Sequence, residues 1–268
     1  MKTKINKWLK ITGLFGVLAS SFSSCTLMMY KPNMQNVPLH TQKGDLDVNL
    51  TLENYQASYA ITDNIAVMAN GYNGKFTLST SSGTPPNDTK YDKVTKRFLG
   101  EAGVGYYNAF GRPSKGGDYS GGVFEAFGGM GYGKLANTII KTDSSVLTYS
   151  GFYNTNTLKF FIQPSIGYKY KEGWKSIESV FSVRMTGMNY GNITSNYTLK
   201  DLTDNHLQPA GGGALAMFLE PALTVKTGLK YFKIIQQFQF ITQIAGPKML
   251  YPPFTYHLGV NISIPTGG

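Results

Sequence analysis

Three features are scarce in this chain of 268 residues: cysteine, charge and long apolar runs. Cys25 is the single cysteine, which excludes a disulfide within the chain. Charged residues make up 15% of the sequence, against about 25% in an ordinary soluble domain. Beyond the N-terminal segment no run reaches the roughly 18 apolar residues that a membrane-spanning helix needs. Neither disulfides nor transmembrane helices are therefore expected to organise the protein.

Aromatic residues and glycine are abundant instead. Tyrosine occurs 18 times, phenylalanine 16 times and glycine 31 times, the enrichment expected of aromatic girdles around a crowded barrel lumen. The formal net charge is +10, and removal of the four lysines in the first ten residues leaves +6. A mildly basic barrel suits anionic membrane lipid as a partner, and no nucleic-acid partner is expected.

The clearest pattern is a two-residue alternation on both sides of the turn at residues 171–173. Apolar or aromatic residues hold the even positions from Leu158 to Tyr170, and the odd positions are mostly polar or small. After the turn the apolar positions become odd, from Ile177 to Met185. Each arm has about 13 residues, more than the roughly 9–11 that a tilted strand needs to cross a bilayer. The stretch predicts a transmembrane β-hairpin.

The same alternation recurs along the chain and predicts an all-β, transmembrane antiparallel β-barrel over residues 45–268. We expect about ten strands, with a tight turn at Glu53 and Asn54; a different interpretation of residues 45–61 gives eight strands as the alternative. Short connections at 62–64, 111–118, 171–173 and 226–228 alternate with longer ones at 78–96, 136–156, 191–212 and 245–253. Because such barrels have short periplasmic turns and longer extracellular loops, both chain ends are expected in the periplasm.

The N-terminus carries the signs of export. Residues 1–24 combine a basic start with an apolar run from Ile11 to Ala19, which predicts a signal peptide that is removed. The sequence Phe22-Ser23-Ser24-Cys25 resembles the lipobox of bacterial lipoproteins, and this resemblance implies a lipid on Cys25. Residues 25–44 are expected to form a lipidated tether to the first strand, extended because residues 31–43 lack periodicity. The alternative is a segment that folds into the barrel mouth as a partial plug.

A wider resemblance covers residues 25–75. The stretch Tyr59–Val67 looks like a periplasmic turn of small outer-membrane barrels. Together with the lipobox it resembles outer-membrane β-barrel lipoproteins of the Bacteroidota that have no assigned activity. In that group an acidic cluster after the cysteine marks surface export, and residues 26–31 contain none. The resemblance implies a bacterial outer-membrane protein whose N-terminus is anchored in the periplasmic leaflet.

Charged residues on the polar faces of the strands are the main candidate for a functional site. If the alternation holds, four acids and four bases point into the lumen: Glu101, Glu125, Lys159, Lys169, Glu178, Arg184, Glu220 and Lys233. Buried charges have to be paired or hydrated, and side chains nearly fill a barrel of about 8–10 strands. We expect a paired network that closes the lumen, with a gated ion or solute path as the alternative.

Enzymatic chemistry has little support in the sequence. The three histidines are dispersed, with His40 in the tether, His206 in a long loop and His257 on a lumenal face. No Ser-His pair of the kind that a membrane lipase needs is visible, no metal cluster is expected, and no glycine loop has phosphate-binding spacing. We therefore expect no catalytic residue, no cofactor apart from the lipid, and no enzyme activity.

By elimination, the sequence favours a structural or accessory subunit of a larger outer-membrane complex for secretion, protein insertion or nutrient uptake. The polar connections at 78–96, 136–156 and 191–212 are the expected contacts to other outer-membrane proteins. A narrow gated channel is the first alternative, and a lipid-modifying enzyme is the second.

Overall fold

The computed structural model describes residues 29–82, 89–114, 118–143, 146–196 and 215–265. None of these ranges contains a helix long and apolar enough to cross a membrane. Their regular structure consists of β-strands: β1 Asp45–Thr51, β2 Asn54–Ala60, β3 Ile65–Ser82, β4 Thr89–Ser114, β5 Asp118–Asp143, β6 Val146–Glu172, β7 Lys175–Ser195, β8 Leu215–Leu229, β9 Phe232–Phe240, β10 Thr242–Ala245 and β11 Phe254–Pro265.

The strands close into a ten-stranded antiparallel barrel. Each strand from β1 to β8 pairs with the next, β8 pairs with β9, β9 with β11, and β11 returns to β1. β10 continues the line of β9 after a break at Ile241 and pairs with β8, so the two count as one barrel strand. The prediction of ten strands is confirmed, and so is the tight turn after Thr51 that separates β1 from β2.

The barrel is apolar outside and polar inside. Outward side chains such as Phe98, Ile162 and Met130 are 55%, 64% and 67% exposed, whereas the lumenal residues between them are buried. Along β4 the apolar outer face runs from Phe98 to Phe110, about 13 residues. At about 3.3 Å per residue and a tilt of about 45°, this face is roughly 28 Å tall, close to the apolar band of a transmembrane barrel.

The two ends of the barrel differ. Residues 61–64, 173–174 and 230–231 form turns at one end, which we call the short-turn mouth. Residues 52–53 and 246–253 lie at the other end, the long-loop mouth. The first strand begins and the last strand ends at the short-turn mouth, because Asp45 pairs with Pro265.

Five strands extend well beyond the long-loop mouth. β3 to β7 contain 18, 26, 26, 27 and 21 residues, against 7 each in β1 and β2. β2 reaches only Tyr72 of β3, while β3 and β4 stay paired up to Ser82 and Thr89. The prediction of loops at 78–96 and 136–156 was therefore wrong: those stretches are mainly paired strand, and residues 83–88 and 144–145 lie outside the described residues. Of the loop expected at 191–212, residues up to Ser195 belong to β7, and residues 197–214 lie outside the described residues.

Candidate functional site: the occupied lumen

The lumen contains the N-terminal part of the chain itself. Residues 29–43, which we call the lumenal segment, run through the barrel, and Met34, Val37 and Leu39 are fully buried there. Polar members of the segment are buried as well, among them Gln35 and Asn36. The segment is therefore not a free tether. It corresponds to the plug alternative, and it fills the length of the lumen rather than one mouth.

The direction of the lumenal segment is defined by its two ends. At the long-loop mouth the backbone N–H groups of Met29 and Tyr30 donate to the carbonyl of Leu250, at 2.8 and 3.2 Å. At the short-turn mouth the N–H of Lys43 donates to Asp63, at 3.2 Å. The described chain thus begins at the mouth opposite to the start of β1. The expectation that the N-terminus shares a side with the short turns does not agree with this path.

Side chains of the barrel wall satisfy the backbone of the lumenal segment. Gln237 both accepts from the Gln35 N–H, at 2.7 Å, and donates to its carbonyl, at 3.0 Å. The carbonyls of Asn36 and Leu39 accept from Gln163, at 2.7 Å, and from Lys169, at 3.0 Å. Because buried backbone groups need partners and this segment joins no sheet, the polar lumen replaces the ladder that a strand would have.

Glu101 is the centre of a first charge cluster near the long-loop mouth. Its carboxylate lies 2.7 Å from the ammonium of Lys159 and 3.5 Å from the guanidinium of Arg184. Asn33 of the lumenal segment joins the same cluster, since its amide donates to Glu101 at 2.8 Å and its carbonyl oxygen accepts from Lys159 at 2.7 Å. All three charged side chains are buried. The cluster therefore links β4, β6 and β7 to the segment that they enclose.

Glu178 is the centre of a second cluster nearer the short-turn mouth. Its carboxylate lies 2.8 Å from Lys233, 3.5 Å from Lys226 and 3.8 Å from Lys169. Asp47 accepts from Lys226 at 3.2 Å, so two carboxylates face three ammonium groups. The third lysine, Lys169, also donates to the carbonyl of Leu39, so this cluster holds the segment too.

The two remaining acids bind the lumenal segment rather than a basic side chain in the described contacts. Glu125 accepts from the backbone N–H of His40 at 2.9 Å. Glu220 accepts from the hydroxyl of Tyr30, whose ring stacks on Phe218 with 4.3 Å between centroids. Both carboxylates are fully buried. They hold the segment at opposite mouths of the barrel.

All eight charged residues proposed from the sequence lie in the lumen and are buried. Sequence analysis missed Asp47 and Lys226, which bring the residues classed as buried to five acids and five bases in the described part of the chain. Lys226 was assigned to a turn at 226–228, but β8 continues to Leu229. The sequence could have placed Asp47 in the lumen, because this residue alternates with the apolar residues Leu46 and Val48 in β1.

A close approach between Leu39 and Gly167 fixes the segment near the short-turn mouth. A Cβ atom built on Gly167 would lie 2.9 Å from a methyl group of Leu39, so only glycine leaves room for that side chain. Leu39 itself has a positive φ of 55°, a conformation that bulky residues seldom adopt. Surrounding contacts have to hold such a residue in place, because the conformation costs of order 1–3 kcal/mol.

Replacing Gly167 by valine is expected to destabilise the barrel by about 1–3 kcal/mol through overpacking. The new Cβ would lie 2.9 Å from both Leu39 and the carbonyl oxygen of Ser179. Gly128→Ala is the matched control, because its Cβ would meet only the Phe161 carbonyl oxygen, at 3.7 Å. Urea unfolding in lipid vesicles measures both variants. Adding Leu39→Ala to Gly167→Val should recover part of the loss, and equal midpoints for Gly167→Val and wild type would contradict the packing.

Groups suited to metal binding or histidine-dependent catalysis are sparse in the described part of the chain. No group of three or more His, Cys, Asp or Glu side chains there could hold a metal ion. His40 and His257 are buried in the lumen, and His206 lies outside the described residues. Residues 1–28 also lie outside them, so the signal peptide and the lipid on Cys25 stay predictions.

Comparison with known proteins adds no relative to this architecture. No protein-family model matches the chain, and neither a curated protein nor a solved structure shows significant similarity to it. The class defined by fold and site is a closed ten-stranded antiparallel β-barrel that encloses its own N-terminal segment.

Proposed function

We propose that this protein is a non-enzymatic outer-membrane lipoprotein that serves as a structural or accessory subunit of a larger membrane complex. The observation that carries the proposal is the occupied lumen. A segment of the chain and ten buried charges fill the space through which a solute would pass. Because the interior is filled, the outer surface and the long-loop end are the regions where a partner could bind.

The outer face of the barrel supports a position in a bilayer. Apolar residues cover it over roughly 28 Å, and above this band the outward side chains become polar. Lys96 of β4 and Lys134 of β5 are exposed just beyond Phe98 and Tyr132. Lysines at that height are placed to meet anionic lipid headgroups. This supports lipid as a partner.

The surface best suited to bind a protein partner is the sheet that β3 to β7 form beyond the long-loop mouth. Beyond Asn73, whose N–H donates to Glu53, β3 pairs within the described chain only with β4. An edge of nine residues whose outer side pairs with no described strand is a template to which another strand can add. The partner site is therefore expected along β3, residues 74–82, rather than in the loops predicted at 78–96, 136–156 and 191–212.

Purification in mild detergent from the native membrane tests the proposal. A C-terminally tagged copy is expected to elute as a large stoichiometric assembly whose other chains name the pathway. In a matched variant, residues 76–95 are replaced by Asn-Gly, which closes a two-residue hairpin between the paired Lys75 and Lys96. This variant should keep the barrel and lose the partners.

Heat-dependent migration on gels shows whether the shortened barrel is still folded. A wild-type protein that elutes alone, at the size of one mature chain plus detergent, would contradict the accessory role. Conductance and lipid-hydrolysis assays would then test the channel and the lipid-modifying enzyme, the two alternatives that the sequence left open.

A further inference from the structure

The path of the lumenal segment fixes the side on which the mature N-terminus leaves the barrel. At the long-loop mouth the Tyr190 hydroxyl donates to the Met29 carbonyl at 3.1 Å, and Lys31 pairs with Glu53 at 2.6 Å. At the short-turn mouth the Gly44 N–H donates to the carbonyl of Ala60 at 2.9 Å. Gly44 has a φ of 85°, which lets the chain reverse there and enter β1. The segment thus runs the full height of the barrel.

We infer that the protein threads its own N-terminus through its lumen and presents it at the long-loop mouth, on the opposite side of the membrane from the strand ends. This inference rests on the proposed function for its absolute direction. Short turns are periplasmic in such barrels and long loops are extracellular, so the mature N-terminus faces the cell exterior. The lipid proposed for Cys25 then enters the outer leaflet instead of the periplasmic one.

Chain length supports the outer-leaflet anchor. Three residues lie between Cys25 and Met29, and a fully extended chain spans at most about 14 Å over these four residue-to-residue steps. The hydrocarbon core is about 30 Å thick. A lipid on Cys25 therefore cannot reach the leaflet at the short-turn mouth while Met29 is bound to Leu250 at the other mouth.

The barrel has to close around the segment rather than admit it later. Wall residues from several sides bond to it, including Gln56 of β2, Gln163 of β6 and Gln237 of β9. The bonded lumen leaves no open passage for a cysteine that carries acyl chains. The N-terminus consequently has to be in place before the last pair of neighbouring strands closes the barrel.

Single-cysteine labelling tests the threading. Cys25 is the only native cysteine, so wild type measures any label that Cys25 itself takes up, and this signal is subtracted from that of each variant. Three full-length variants are compared in cells that assemble the barrel: Thr26→Cys near the N-terminus, Leu52→Cys at the long-loop mouth and Trp174→Cys at the short-turn mouth. Leu52 and Trp174 are 95% and 66% exposed. A membrane-impermeant maleimide is applied before and after the outer membrane is permeabilised.

Thr26→Cys is expected to behave like Leu52→Cys and to be labelled in intact cells, whereas Trp174→Cys gains its label only after permeabilisation. Labelling of Thr26→Cys only together with Trp174→Cys would overturn the threading. If Thr26→Cys reacts in neither condition, a Gly-Ser-Cys-Gly-Ser spacer inserted between Leu27 and Met28 replaces it as the probe, and the same two outcomes decide.

The same experiment separates this inference from the proposed function. If Thr26→Cys follows Leu52→Cys but both require permeabilisation, the threading stands and the proposed orientation fails. Incorporation of radiolabelled palmitate that Cys25→Ser abolishes supports the lipid anchor. Absence of that label overturns the anchor, and the cysteine pattern still decides the threading.

Discussion

Replacement of Glu178 by glutamine is expected to give the largest loss of stability of any single substitution in this protein. The carboxylate lies within 4 Å of the ammonium groups of Lys169, Lys226 and Lys233. Without it, Lys226 keeps the carboxylate of Asp47, while Lys169 and Lys233 lose the carboxylate that they contact. Removing one partner from a buried ion pair typically costs about 3–5 kcal/mol, since the remaining charge is left uncompensated.

Urea unfolding of the barrel in lipid vesicles measures this effect. Ser179→Ala is the matched control, because Ser179 is the next residue on β7 and points outward. A second substitution, Lys233→Met, should restore part of the lost stability by removing the cation closest to the site, and the pair of variants forms a double-mutant cycle. An unfolding midpoint for Glu178→Gln equal to that of wild type would mean that the cluster contributes nothing.

The second large effect is expected when the lumenal segment loses its side chains. Residues 31–40 are replaced by a Gly/Ser linker of equal length, which keeps the chain connected and removes the buried side chains of Asn33, Met34 and Leu39. The lumen then contains mobile backbone and water beside unpaired wall charges. Planar-bilayer recordings should show ionic current for this variant and none for wild type.

Arg184→Ala serves as the matched control for the recordings. It removes one charge from the cluster around Glu101 but keeps the segment, which still binds Lys159 and Gln163. This variant is expected to stay closed. Current through wild type would support the gated-channel alternative instead. A folded linker variant without current would show that the wall side chains close the lumen alone.

Much of the barrel follows from alternation in the sequence. Within the apolar band an outward-facing residue is apolar and its neighbours in the strand face a polar lumen, so the polarity of residues such as Phe160 and Lys159 indicates their orientation. The eight lumenal charges were located in this way, and all of them are buried. The turn at Gly173, which has a positive φ of 57°, is equally local.

The alternation fails beyond the apolar band. Above Lys75 and Lys96 polar residues occur on both faces of the sheet, so the two-residue period disappears. The hydrogen-bonded ladder nevertheless continues from Lys75 to Ser82 and from Lys96 back to Thr89. Hydropathy measures the surroundings of a strand and not its pairing, which is why paired strands were predicted as loops.

Hydropathy also failed to predict the structure of the lumenal segment, which lies inside the barrel. Its polar Asn33 and apolar Leu39 are both buried, because wall side chains surround the segment and no face of it meets solvent or lipid. The sequence of the segment therefore shows no hydrophobic periodicity. Its richness in asparagine and glutamine matches the amide-rich wall that it contacts, and that match was the available signal.

The sequence alone determined the alternation within the apolar band and the inward direction of eight buried charges, and it favoured ten strands over eight, since each depends on local contrast between the apolar outer face and the polar lumen. Only the tertiary structure decided which charges pair, that Asp47 and Lys226 complete the balance, and which mouth receives Met29. Those features depend on contacts between residues as far apart as Tyr30 and Glu220, or Asn33 and Lys159. Closure of the barrel creates such contacts, and no local pattern encodes them.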